Sequence, residues 1–192
     1  MSVYGPLVTI EDVRLALTAH LRTWSPAYLA EVGRQRSVTL ETFRGYTTST
    51  GDEFPVCLTA AASVESPMDH GDGTVTASFS AAAAAVVSGA TREEATALAS
   101  YYGAAIRGAV LQHPDLSGFA SGCDWTGEAI EEVAFDTGQA IVACTVRFTV
   151  DVDGVIDMRG GPLTAPVDPT TDPGDWPHVV TTAAPIERLP NR

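Results

Sequence analysis

The chain has no lysine: all 11 of its basic residues are arginine, set against 24 acidic residues for a formal net charge of −13 over 192 residues. The arginines are scattered from Arg14 to Arg192, and no two stand closer than Arg34 and Arg36. A protein that follows a phosphate backbone needs clustered cations, so this composition excludes an independent nucleic-acid binder. Long apolar runs are absent as well, the longest, Ala81 to Val87, being far short of the roughly 20 residues a membrane-spanning helix needs. No basic residue precedes Arg14 and no apolar block leads to a small-residue cleavage site, so neither membrane insertion nor secretion is expected. Cysteine is sparse. Cys57, Cys123 and Cys144 are odd in number and sit among apolar or small residues, which predicts structural thiols in a reducing compartment.

Motifs are missing too. There is no phosphate-binding loop, no dinucleotide glycine fingerprint, no cysteine pair at metal spacing, no HExxH and no G-x-S-x-G elbow. The expectation is a protein with no cofactor, no metal and no catalytic machinery.

What is present is a clear alternation of periods. Thr9 and Asp12 form a capping-box pair, and Ile10, Val13, Leu17, Leu21 and Trp24 recur at helical spacing, predicting a helix over about 10–24. Ser25-Pro26 reads as a fresh start, predicting a second short helix toward Arg34. From Val38 the period falls to two, with strands expected near 38–48, 53–64 and 73–87. The alanine-rich third segment reads as strand because Thr74 to Phe79 leads into it with strict alternation. Thr91, with Glu94 at the reciprocal position, opens a helix whose stripe of Ala95, Leu98, Ala99, Tyr102, Ile106 and Val110 ends at His113-Pro114. A glycine- and serine-rich loop then leads to two strands near 125–135 and 139–152, joined through Asp136-Thr137-Gly138 as a hairpin. In the last strand Val142, Cys144, Val146, Phe148, Val150 and Val152 face one way and Thr145, Arg147, Thr149 and Asp151 the other.

From Met158 the pattern dissolves, and seven of the 12 prolines fall in 158–192. They interrupt every window in which an element could form, so the reading is an α+β domain over 1–157 followed by an extended Pro-rich arm, able to reach on the order of 100 Å. The fold class expected is a mixed, mostly antiparallel sheet packed by helices.

Candidate chemistry is thin. His20 reads as a partly buried helix residue and His113 as a helix-end cap. Asp69-His70-Gly71-Asp72-Gly73 gathers two carboxylates and an imidazole but lies between strands, where an acidic turn explains it. Asp151 to Asp157 begins like a calcium loop but has Ile156 at the sixth position and Pro162 at the twelfth, where glycine and glutamate belong. Glu128, Glu131 and Glu132 fit a solvated strand, with Glu128 and Glu132 on one face and Glu131 on the other. Trp176 has no core of its own in the Pro-rich arm, which suggests an anchor that docks on a neighbour, and Arg147 is the candidate for an interface ion pair.

The stretch from about 73 to 152 carries a family resemblance. An alternating strand through Ala81-Ala82-Ala83 is followed by Thr91-Arg92-Glu93-Glu94-Ala95 opening a helix with Tyr101-Tyr102-Gly103-Ala104-Ala105-Ile106-Arg107, then by the strand Ile141 to Phe148. This order resembles the tail terminator proteins of long-tailed, siphovirus-like bacteriophages, the lambda-type family. The resemblance implies a virion structural protein, six copies closing a homohexameric ring at the head-proximal end of the tail. That ring ends tube polymerisation and offers a surface for head joining. Its implied partners are further copies of itself, the tail tube protein and a neck or head-completion protein, with DNA passing through unbound and assembly in the host cytoplasm. Two alternatives stay open: another connector such as a head-closure protein, or a cone-shaped α+β enzyme or ligand-binding domain in which Tyr102, His113, Asp124 or Glu128 would converge on a pocket.

Overall fold

The computed structural model describes residues 7–47, 53–136 and 139–157. Trp176 and the whole Pro-rich arm lie outside the described residues, as does the Thr137-Gly138 turn. The described chain is α+β: α1 (Ile10–Arg36), β1 (Gly45–Thr47), β2 (Val56–Asp69), β3 (Thr74–Gly89), α2 (Arg92–Gln112), β4 (Gly122–Asp136) and β5 (Gln139–Asp157). The strands form one five-stranded sheet in the order β1-β2-β3-β5-β4. β1 runs parallel to β2, and every other pair is antiparallel, so the sheet is mixed as expected.

Two expectations need correction. The segment expected as two helices is one, because α1 continues through Pro26. The ring of Pro26 removes a backbone donor and crowds the preceding turn, and Tyr46 of β1 supports the site from outside. Its hydroxyl donates to the Leu21 carbonyl at 3.2 Å and lies 2.5 Å from Ser25 Oγ, while the Arg22 guanidinium sits 5.5 Å above its ring. The strand expected over 38–48 shrinks to Gly45–Thr47. Ser37 ends α1 in the left-handed region at φ 57°, the Val38 N–H caps back onto the Gly33 carbonyl at 3.0 Å, and the chain then crosses without a ladder partner until Arg44 N–H reaches the Pro55 carbonyl. Alternation alone cannot make a strand where no neighbouring strand is in reach.

The caps form as the residue types require. Thr9 and Asp12 exchange both capping-box hydrogen bonds, at 2.8 and 3.2 Å. Thr91 accepts from Glu94 N–H, whereas the Glu94 carboxylate reaches one residue further back, to Ala90 N–H at 2.9 Å.

Both helices pack on the same face of the sheet, α2 over β3, β5 and β4, and α1 over β2 and against α2. The buried faces of β3 (Ala77, Phe79, Ala81, Ala83, Ala85, Val87) and β5 (Val142 to Val152, alternating) are those the period of two assigns. A Cβ on Gly89, at the end of β3, would come within 2.7 Å of the Ala95 backbone of α2, and one on Gly103 of α2 would collide with Cys144 of β5, so helix and sheet approach closely. Phe79 and Phe148 fill the space that remains, each contributing about 2–3 kcal/mol by leaving water.

Candidate functional site

Both helices pack on one face of the sheet, and no described helix covers the opposite face. At one end of this face Val86 of β3 and its β2 neighbour Val56 are buried; toward the middle the pleat places half-buried Ser78, Ser80, Ala82 and Ala84 on β3, Thr145 and Thr149 on β5 and Ala129 on β4 around Arg147 of β5. These are small side chains, and around Arg147 they leave a shallow concavity of about 220 Å³ lined by Ala60, Ala62, Ser80, Ala82 and Thr126. Arg147 itself is exposed.

Its isolation is notable because the other arginines among the described residues are engaged. Arg14, Arg34, Arg44, Arg92 and Arg107 form ion pairs with Glu11, Glu31, Glu41, Glu132 and Glu128. Arg22 and Arg36 lie over the rings of Tyr46 and Tyr101. Among the described residues Arg147 alone has neither kind of partner.

A second cluster stands where α2 meets the β4 edge. Arg107 of α2 donates to Glu128 Oε2 and lies 4.9 Å above the ring of Trp125, and the Cys144 thiol donates to Glu128 Oε1 at 3.4 Å. Gly103 is required here, since a Cβ would collide with Cys144 Sγ and come within 3.0 Å of Glu128 Oε1. Burial, reinforced by the Glu128 charge, pushes the Cys144 thiol up to about 12. Burial pushes Cys57 and Cys123 to about 12 as well, so all three cysteines are neutral packing groups and not nucleophiles.

The sequence reading missed this cluster. It placed Glu128 and Glu132 together on a solvated face, and the two do share a face, but it is the one toward α2, where Arg107 and Arg92 meet them. Arginines one α2 face apart from carboxylates at strand spacing were the available signal.

The remaining candidates are dispersed. Tyr102 donates its hydroxyl to the Glu41 carbonyl at 2.7 Å, at the side of a groove of about 300 Å³ also lined by Thr39, Arg44, Phe54 and Leu98; burial pushes its phenol up to about 12. His113 caps α2 and stacks on Trp24 with ring centroids 3.8 Å apart. Asp124 is exposed on β4. Tyr102, His113, Asp124 and Glu128 thus have separate surroundings and are not brought together. His20 is more deeply buried than expected, with Nε2 donating to the Ala109 carbonyl and Nδ1 accepting from Ser117 Oγ, both at 3.1 Å.

The two acidic segments are built as turn and strand. Asp69 and Asp72 accept from the N–H groups of Gly71 and Thr74 at 2.8 and 2.9 Å, and His70 bonds Thr76 Oγ1. Asp151 and Asp153 stay within β5 and accept from Ser78 and Thr76 hydroxyls. Among the described residues no three histidine, cysteine or carboxylate side chains stand together as a metal site, and no helix is long and apolar enough to cross a membrane. No protein-family model matches the sequence, and no curated protein matches it.

Proposed function

We propose that this chain is a ring-forming structural protein of the phage tail terminator kind, which closes six copies over the head-proximal end of a tail tube, stops its polymerisation and presents a surface for head joining. The observation that carries the reading is the one-sided sheet. Helices cover one face, while the other sets half-buried alanine, serine and threonine around an exposed Arg147 that has no ion-pair partner among the described residues. Small side chains let another protein's backbone approach closely, so the surface around the exposed Arg147 suits assembly. The charge of −13 supports the same reading, because an acidic conduit wall repels passing phosphates. A Pro-rich arm of 35 residues with Trp176 as anchor suits clasping a neighbouring subunit, the tube protein or a neck protein.

The test is the solution mass of the full-length chain by light scattering over a range of concentrations, alongside a version ending at Asp157. A mass near about 120 kDa, six chains of 20.1 kDa, is expected, and its loss on truncation assigns the arm to ring closure. A chain that stays monomeric or stops at a dimer overturns the reading. Addition of the ring to polymerising tail tube protein separates terminator from head-closure function, since only a terminator halts tube growth.

A further inference from the structure

Arg147 borders a concavity of about 220 Å³ floored by Ala60, Ala62 and Ala82. Its ladder partner on β4 is Gly127, where an added Cβ would meet nothing within 4 Å, so the space is open on that side too. Carboxylates elsewhere on this face are held by hydroxyls, Glu65 by those of Ser63 and Ser80 and Asp151 by that of Ser78. None of them pairs with Arg147.

Arg107 shows what this chain does with a half-exposed guanidinium. It donates to the Glu128 carboxylate and lies 4.9 Å above the ring of Trp125, so a carboxylate and an indole three residues apart in sequence serve one cation. A planar guanidinium accommodates both, because its N–H groups point outward in its plane and leave its faces to a ring. The same two groups recur outside the described residues. Asp168 to Pro177 carries Asp168, Asp172, Asp175 and Trp176 and no basic residue.

The chain length lets that segment reach another copy. Trp176 follows the end of β5 at Asp157 by 19 residues, about 59 Å of polyproline-like chain. Arg147 stands ten strand residues before that end, about 33 Å, and a sheet of five strands is only about 20–25 Å wide. The reach therefore spans one subunit and arrives at the same concavity on an adjacent one.

We propose that Asp168 to Pro177 of one copy docks on the sheet face of the next, with Trp176 seated over Ala60, Ala62 and Ala82 and with Asp172 and Asp175 beside Arg147. This rests on the ring reading above and names the contact by which the arm would hold the ring. Burial of the indole supplies most of the attraction, and the ion pair fixes its position. The small residues at 60, 62 and 82 and the open side at Gly127 leave the room that an incoming indole needs.

Two experiments on full-length chains test it. In the first, an Ala60→Cys protein is mixed with a Gly174→Cys protein, oxidised and run on a non-reducing gel. The three native cysteines are buried and stay silent. A linked pair of chains from the mixture, absent from either protein alone, is expected, since only a contact between copies can form it. In the second, Arg147→Glu and Trp176→Ala should each raise the concentration needed for assembly about tenfold, and adding Asp172→Arg with Asp175→Arg to Arg147→Glu should restore it. A ring of full mass that gives no linked pair and assembles as well with either variant overturns the arm contact and leaves the ring reading standing. Links confined to chains that carry both cysteines overturn the contact between copies. A chain monomeric at every concentration overturns both readings.

Discussion

Replacing Gly103 by alanine is the sharpest test of how the helix layer meets the sheet. In an isolated helix the change stabilises by about 1 kcal/mol, because alanine loses less backbone entropy than glycine. Here the added methyl has no room: it would collide with Cys144 Sγ, stand 3.0 Å from Glu128 Oε1 and 3.4 Å from Cys144 Cβ. Cys144 is fully buried in the middle of β5, so it cannot swing aside, and the strain falls on the separation of α2 from the sheet. Overpacking costs about 1–3 kcal/mol, and a methyl forced against a buried sulfur that cannot move belongs to the upper part of that range, about 2–3 kcal/mol, so the net loss is about 1–2 kcal/mol once the helix gain of about 1 kcal/mol is subtracted. Thermal unfolding followed by circular dichroism at one fixed protein concentration reads it, and the midpoint temperature should fall by about 3–6 °C. The Cys144→Ala variant loses a buried thiol and about 1 kcal/mol, yet it removes the atom that blocks the methyl. The double variant should therefore be no less stable than Gly103→Ala alone, with a coupling of about 1 kcal/mol or more. A Gly103→Ala protein as stable as the parent, or losses that simply add in the double variant, would refute the close approach.

Three further outcomes follow from particular groups. Burial, with the neighbouring His113 adding to it against the opposing Ala109 carbonyl and Asp115, holds His20 below its ordinary value near 6.5; the unfolded chain therefore binds the extra proton first, so stability is full above about 6.5 and declines as pH falls below it, a slope that His20→Gln should flatten in urea titrations between pH 7 and 5. Arg107→Ala leaves the largely buried Glu128 carboxylate without its cation and should cost about 1–3 kcal/mol, whereas Arg92→Ala, from a far more exposed pair, should cost under about 0.5 kcal/mol; equal losses in thermal melts would contradict the burial difference. Because each chain carries a charge of −13, raising salt from about 20 to 150 mM should strengthen assembly by screening repulsion, which light scattering would show as rising mass, and dissolution by salt would mean that ion pairs carry the contact.

Much of this fold was legible because its elements announce themselves locally. The alanines of β3 were separable from helix by the alternation leading into them, and both helix starts were visible as threonine followed by a carboxylate three residues on. The failures have tertiary causes. Ser25-Pro26 has the form of a helix start, and nothing within ten residues of it reveals that Tyr46, from another element, will support Leu21 and Ser25 in a continuous helix. Val38 to Arg44 alternates like a strand but meets no ladder. The faces of β5 were correctly divided, with Val142 to Val152 inside and Arg147 outside, yet which helix residues would cover β4 was not readable. Pairing of Arg107 with Glu128 requires the crossing of α2 over two particular strands, a long-range fact that no local period encodes.

In a chain without lysine the arginines become a record of where charge is needed. Five hold carboxylates: three of these pairs lie one helical turn apart or in the adjoining loop, and two tie α2 to β4. Two more lie over tyrosines that border the same helices. Each of these positions is explained within one copy of the molecule. Arg147 is not, for it stands on the central part of a long strand, over small side chains, with hydroxyls and no carboxylate beside it. An exposed arginine gains little from such a place within its own chain, and a long flexible cation is entropically costly to hold still. It gains most where a carboxylate arrives from outside and part of the surrounding water leaves.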